Sequence, residues 1–264
     1  MKRRAMILCA VFCLLFSFTA CRVRVDFTQG EDEDTPPTTS TTKPLPESND
    51  EMATEAWEIY SHALDVEKTY TTYELIYEGR EKAIGETVVS KARFVRVEKD
   101  GAVTLLIERE YGSEYSSAYY ADGIGYFDVK GKKYWMPTDE DAVYEVLKIA
   151  ETENLTEPMF TKAIVIRDAD GGATVSCPLQ AKYALQFARM YLGDTATEGT
   201  VIRAEAGVTV NAAGDPLVFT AAVSVDHALY GTVSVESQNR YTAVGDAVVL
   251  TPPQDLDTYA SIIE

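Results

Sequence analysis

The chain has 264 residues and a formal net charge of −18 at neutral pH. This charge argues against electrostatic binding to nucleic acid or to anionic membranes. The length suits one large domain with its own core.

The N-terminal segment has the layout of a secretory signal peptide. Basic residues 2–4 precede an apolar run at 5–18, and the small residues Thr19 and Ala20 lie directly before Cys21. The apolar run is shorter than the roughly 20 residues that a transmembrane helix needs. We therefore predict that residues 1–20 are a signal peptide rather than a permanent membrane span.

The residues that end in Cys21 resemble a bacterial lipobox, in which a lipid is attached to the cysteine thiol and the peptide is cut just before it. Phe18 departs from the pattern, because an aliphatic residue is usual at that position. We predict lipid attachment, as palmitate or a similar acyl chain, at Cys21. Each buried CH₂ group contributes about 0.8 kcal/mol, so two or more chains hold a soluble domain firmly. The alternative is ordinary cleavage near Ala20 with a free Cys21.

Residues 22–49 are acidic and rich in proline and threonine, with few apolar side chains. Such a segment cannot bury enough surface to offset its ordering entropy. We therefore predict that residues 21–49 comprise the lipidated cysteine and a disordered tether, and that a folded domain spans residues 50–264.

The first part of that domain predicts one helix and then a meander. Apolar residues recur at helical spacing over about 51–65, with Asp50 as the predicted N-cap. Alternating or β-branched segments follow, with turn signals at Asp122-Gly123 and Lys130-Gly131. The predicted strands are 69–79, 87–97, 103–108, 111–121 and 125–129.

The second part predicts two helices and more strands. One helix begins after Thr138, its predicted N-cap, and has Val143, Val146, Leu147 and Ala150 on its apolar face. A hairpin is predicted around 168–172. A second helix over 179–192 ends at Gly193. Ala184, Leu185, Ala188 and Leu192 make it apolar on most sides, which is typical of buried helices. The last predicted strands are 201–210, 217–225 and 229–236.

The order of these elements favours an α+β fold, with helices on one side of a large antiparallel sheet. The sequence predicts no catalytic site, no metal site and no cofactor. His62 and His227 are the only histidines, and no nucleophile motif accompanies either. Asp168–Gly171 lacks the later ligands of a calcium loop. Cys177 is interpreted as a small buried hydrophobe without a disulfide partner.

Three features together carry a family resemblance. They are the lipobox with its tether; a leading helix (51–64) that runs into a meander containing 119–123 and 131–135; and a closing segment at 252–259. This layout, over about 50–264, resembles the LolA/LolB-like superfamily, and especially the small LolA-like lipoproteins of Gram-positive bacteria. The resemblance implies a strongly curved antiparallel sheet, an incomplete barrel covered by helices, with room for a lipid or another apolar ligand.

The function that follows is a lipoprotein anchored to the extracytoplasmic face of the cell membrane, which binds or carries an apolar ligand under a helical lid. Helix 179–192 is the predicted lid. Tyr183, Phe187, Met190 and Tyr191 are the predicted lining residues, although the same side chains could fill a core instead. The alternative is a cell-surface interaction or sensor module with a filled core and no small-molecule ligand. The sequence does not identify a protein partner.

Overall fold

A computed structural model describes residues 48–146 and 155–262. The predicted signal peptide, Cys21 and almost all of the predicted tether lie outside these residues, as do Leu147 and Ala150. No helix within the described ranges is long and apolar enough to cross a membrane.

The described residues contain four α-helices and twelve β-strands. The helices are α1 (Asp50–Glu67), α2 (Glu140–Val146), α3 (Ala181–Leu192) and α4 (Asp194–Glu198). The strands are β1 (Tyr73–Ala83), β2 (Glu86–Lys99), β3 (Ala102–Tyr111), β4 (Glu114–Ala121), β5 (Ile124–Val129), β6 (Lys132–Pro137), β7 (Ile164–Arg167), β8 (Ala173–Pro178), β9 (Thr200–Val210), β10 (Pro216–His227), β11 (Gly231–Val244) and β12 (Ala260–Ser261).

All twelve strands belong to one open, curved sheet with the order β12-β6-β5-β4-β3-β2-β1-β11-β10-β9-β8-β7. Every pairing is antiparallel except that of β12 with β6. The predicted α+β fold with an incomplete barrel is therefore confirmed. The meander β1–β6 and the later half β7–β11 meet where β1 pairs with β11.

Both predicted helix caps are shifted by one residue. Asn49 rather than Asp50 caps α1, because its Oδ1 accepts a hydrogen bond from the Met52 amide at 2.8 Å. Likewise, Asp139 rather than Thr138 accepts from the amide of Ala142 at 2.8 Å. In each case a short Asx side chain binds an amide that the helix leaves unpaired.

Two-residue turns hold the meander together. Asp122-Gly123 and Lys130-Gly131 both have two consecutive positive φ angles, which type I′ hairpin turns require. These are the turns that the sequence predicts. The turn at Ile84-Gly85 has the same conformation, with φ +54° at Ile84, although a β-branched residue is unfavourable there.

The sheet has an inner face, which carries the helices, and an outer face. Helix α1 packs over β7 to β10, and α3 packs over β9 and β10. The inner side chains of these strands form the main core with the two helices. At its centre, the ring of Tyr60 lies 5.0 Å from the ring of Phe160 and 5.9 Å from that of Phe219.

The outer face of the meander is covered by the closing segment, residues 245–262. Lys133 forms an ion pair with Asp255 of this segment, and the ring of Tyr259 meets that of Tyr126 edge-on at 5.7 Å. The apolar contacts join Val248, Leu250 and Leu256 to Val95, Leu106 and Tyr119. The segment thus completes a second, smaller core before β12 joins the sheet.

Candidate functional site

Helix α3, the predicted lid, lies over the inner face, but it is not buried on most sides. Ala184, Phe187 and Ala188 are buried, whereas Leu185 is 43% exposed. The prediction of a helix buried on most sides was wrong, because one face of α3 remains in solvent. Its end at Gly193 is confirmed: φ is +53°, and the Gly193 amide donates to the Arg189 carbonyl at 3.0 Å.

The four predicted lining residues lie in two different places. Three of them border a cavity of about 10 Å³, which is lined by Leu155, Met159, Tyr183, Gln186, Phe187 and Met190. That volume is about the minimum that holds one water molecule, so these side chains pack tightly here. Tyr191 contacts Phe187, with 5.2 Å between ring centroids. Burial raises the pKa of Tyr191, and the neighbouring Tyr77 of β1 raises it further.

Tyr191 therefore lies near Tyr77 of β1, one of the central strands β11, β1, β2 and β3. Helix α3 packs over β9 and β10 on one side of them, and α2 packs against β4 on the other. The inner positions of the central strands carry a continuous set of buried apolar side chains: Leu75, Ala92, Phe94, Leu105 and Ile107. A buried apolar surface thus lies between two helical covers.

A polar strip interrupts this surface, formed by Tyr77, Gly79, Ser90, Ser237 and Asn239. Gly79 pairs with Ser237 on one side and with Ser90 on the other, and Tyr77 pairs with Asn239. A Cβ on Gly79 would lie closer than 3.0 Å to both the Tyr77 hydroxyl oxygen and Ser90 Oγ. The missing side chain of Gly79 therefore lets both hydroxyl groups lie directly over the backbone of β1.

Two oxygen atoms of the polar strip are buried without a hydrogen-bond partner among the described residues: Ser90 Oγ and Asn239 Oδ1. Ser90 is only 2% exposed. Burial raises the pKa of Tyr77, and a hydrogen-bonding interaction with the Ser90 side chain lowers it, although the geometry at Ser90 Oγ is not that of a normal hydrogen bond. An unpaired buried polar group costs about 1–3 kcal/mol, so such groups are rare in proteins.

One end of the polar strip borders a charged cluster in which the formal charges of one carboxylate and one guanidinium cancel. The Tyr111 hydroxyl donates to Glu81 Oε2 at 3.1 Å, and the Arg109 guanidinium carbon lies 5.7 Å from the centre of the Tyr111 ring. Glu81 raises the pKa of Tyr77 and Arg109 lowers it. One carboxylate and one guanidinium therefore face the strip with opposite effects.

Cys177 and His227 are both buried in the structure. Cys177 is fully buried; burial, and to a smaller extent Glu205, raises the pKa of its thiol to about 12. His227 is also buried: its Nδ1 accepts from the Leu229 amide at 3.1 Å, and its Nε2 lies 3.4 Å from Glu198 Oε2. Within residues 48–146 and 155–262, no group of three or more His, Cys, Asp or Glu residues could hold a metal ion.

The outer face carries a feature that the sequence does not indicate, a groove of about 620 Å³ across β2, β1, β11, β10 and β9. Thr220 and Ala222 are among its small residues, and its charged lining residues are Glu78, Arg80, Lys91, Arg203, Glu205 and Glu236. Arg203 pairs with Glu236 at 3.0 Å. Strand alternation predicts a polar outer face, but it does not predict where that face becomes concave.

No family model matches the chain, and no curated protein matches it. Solved structures do show similarity, at low identity. The Mycobacterium tuberculosis lipoprotein LppX is 10% identical with a TM-score of 0.37, and the match covers 75% of this chain and 99% of LppX. A LolA superfamily protein of Nitrosomonas europaea is 10% identical with a TM-score of 0.26, over 76% of this chain and 96% of that protein.

A third similar structure is the complex of Pseudomonas aeruginosa MucA and MucB. It is 10% identical with a TM-score of 0.32, over 76% of this chain and 59% of the matched chain. A LolA superfamily protein is thus among the structures to which the chain is similar. The comparisons do not support the Gram-positive part of the resemblance in the sequence. At these identities the similarity concerns the fold alone.

Proposed function

We propose that this protein is a lipoprotein anchored to the extracytoplasmic face of a membrane, and that it holds a lipid or another apolar ligand on the inner face of its sheet. The buried apolar surface of the central strands, between α3 and α2, carries this proposal. A ligand chain held on this face would gain about 25 cal/mol for each Å² of its own apolar surface that is removed from water. The proposed site lies beside Tyr191 rather than at the small cavity next to Phe187.

Ligand content provides the first test. The full-length protein, gently extracted in detergent, should carry a lipid that native mass spectrometry detects and that denaturation releases. Ala92→Leu should reduce the bound lipid, because the added carbons occupy the inner surface. Ala222→Leu is the matched control, since both alanines are strand residues of similar burial, at 6% and 8% exposure, but on opposite faces of the sheet.

If native mass spectrometry detects no lipid in repeated preparations of the wild-type protein, the proposal is contradicted. If Ala92→Leu and Ala222→Leu lose lipid equally, the inner face is not the lipid-binding site. Thermal unfolding of both variants should accompany the measurement, because overpacking a well-packed position costs about 1–3 kcal/mol.

The anchor is tested separately. Cys21→Ser should move the protein from the membrane fraction to the soluble extracytoplasmic fraction, or leave it unprocessed, because the acyl acceptor is gone. Cys13→Ser is the matched control, since Cys13 lies within the apolar run and is not the predicted acceptor. A Cys21→Ser protein that stayed membrane-bound and normally processed would contradict the anchor.

A second candidate function, a cell-surface interaction or sensor module, is favoured by the outer groove. A photo-crosslinking residue at Thr220, in the groove, should then capture a discrete protein on intact cells. The same residue at Ser117, on the outer face of β4, should not. An equal yield at both positions, or no product at Thr220, would count against this function.

A further inference from the structure

The polar strip has hydrogen-bonding capacity that the described residues do not use. A serine hydroxyl both donates and accepts, and an amide oxygen only accepts. Ser90 Oγ and Asn239 Oδ1 are buried without partners, and Asn239 lies next to Tyr77 across the β1–β11 pairing. A group that can both donate and accept a hydrogen bond would satisfy them.

The charges around the polar strip decide what kind of group this is. Glu81 and Arg109 act on Tyr77 with opposite signs, and Tyr111 contacts both of them. No net charge therefore faces the strip from this cluster. An ionised ligand group would lose its hydration at Ser90 and would also meet one of these two charges with its own sign, which is unfavourable. An uncharged group loses much less.

The apolar residues beside the strip would contact the hydrocarbon part of the ligand. Ala92 pairs directly with Tyr77, and Phe94 and Ile107 lie further along the same inner face. All three are buried. A hydrocarbon chain could lie along this row while its polar end meets Ser90 and Asn239.

We propose, on the basis of the apolar-ligand function above, that the polar strip recognises an uncharged hydroxyl group of an amphiphilic lipid, bound by Ser90 and Asn239. The ligand class is then a fatty alcohol or a hydroxyl-bearing glyceride rather than a free fatty acid or a pure hydrocarbon.

The experiment is a competition between three probes with chains of the same length: oleyl alcohol, octadecene and oleate. Equal amounts are added to the full-length protein in detergent, and native mass spectrometry gives the occupancy by each probe. We expect oleyl alcohol to exceed octadecene about tenfold, the effect of one or two hydrogen bonds to buried groups.

Ser90→Ala and Asn239→Leu should each bring that ratio close to one while octadecene still binds. Ser224→Ala, on the outer face of β10, is the control and should keep the wild-type ratio. Ser90→Ala removes an atom without a described partner, so it should fold normally even if Asn239→Leu does not.

The possible failures are distinguishable. If none of the three probes binds the wild-type protein, the proposed function itself fails. If octadecene binds but the ratio is near one, or Ser90→Ala leaves it unchanged, only the hydroxyl recognition is overturned. A preference for oleate that Arg109→Gln abolishes would also overturn it, in favour of an anionic headgroup.

Discussion

Gly79 lies where two hydroxyl groups cross the backbone of β1. The space that its Cβ would take is occupied by the Tyr77 hydroxyl and by Ser90 Oγ. A glycine inside a strand normally weakens it and often marks a close approach of other atoms. At this position the close approach is the one that forms the polar strip.

Gly79→Ala should lower the free energy of unfolding by about 1–3 kcal/mol, because the new methyl group displaces Tyr77 or Ser90. Urea denaturation measures the change. Adding Tyr77→Phe to this variant should restore part of the loss, since it removes the nearer of the two oxygens. If Tyr77→Phe gave no relief, the contact over Gly79 would not be the cause.

The burial of Cys177 can be tested through the pH dependence of the free energy of unfolding. The pKa of the Cys177 thiol, about 12 in the folded protein, lies above the value of about 8.5 in an unfolded chain. Below about pH 8.5 the thiol is protonated in both states, and its contribution to stability is complete. As pH rises, the unfolded state loses the proton first, so stability falls until the folded thiol also ionises.

Between pH 9 and pH 10 the wild-type protein should therefore lose up to about 1.4 kcal/mol relative to Cys177→Ala, the value for one proton over one pH unit. Urea denaturation of both proteins at pH 8, 9 and 10 tests this. Parallel decreases would show that the Cys177 thiol does not cause the effect.

At the scale of elements, features that neighbouring residues determine could be predicted from the sequence, whereas features that join distant segments could not. The turns at Asp122-Gly123 and Lys130-Gly131 were predictable, because two adjacent residues determine their conformation. The pairing of β1 with β11 was not, since it joins segments such as those of Glu78 and Gln238, 160 residues apart. The exposed face of α3 was missed because apolar composition alone led to Leu185 being placed inside.

The polar strip was missed for a related reason. Tyr77, Ser90 and Asn239 come from three separate strands, and none belongs to a motif. Their juxtaposition depends on the register of β2 with β1 and of β1 with β11. The predicted lid residues, in contrast, belong to a single helix, so their spacing along that helix could be read from the sequence.

The caps give an element-scale prediction. Asn49→Ala should reduce stability by about 1 kcal/mol, because the Met52 amide loses its acceptor. Asp50→Ala, one residue later in the first turn of α1, should cost only a few tenths of a kcal/mol through the helix dipole. Thermal unfolding of the two variants compares them directly, and a larger effect at Asp50 would contradict the cap assignment.

At the scale of the whole molecule, the long β1–β11 pairing joins two halves that each have their own core. The two tryptophans of the chain lie one in each half. Trp57 of α1 contacts Phe160, with 5.2 Å between rings, and Trp135 belongs to β6 of the meander. We expect the two halves to unfold together, because separating them would expose both edges of the central pairing.

The variants Trp57→Phe and Trp135→Phe each leave one fluorescent reporter. Urea denaturation followed through the remaining tryptophan should give midpoints that agree once each variant's own stability, measured by circular dichroism, is taken into account. Two clearly different transitions within one variant would show that the halves unfold independently.

The order of the strands also has a consequence for the newly made chain. During synthesis, β1 emerges early, whereas its neighbour β11 follows only after most of the domain. Until then, β1 has an open edge that other chains could pair with. Such long-range pairing also slows folding and prolongs the exposure of aggregation-prone intermediates. A holding chaperone should therefore matter more for the yield of this protein than for its final stability.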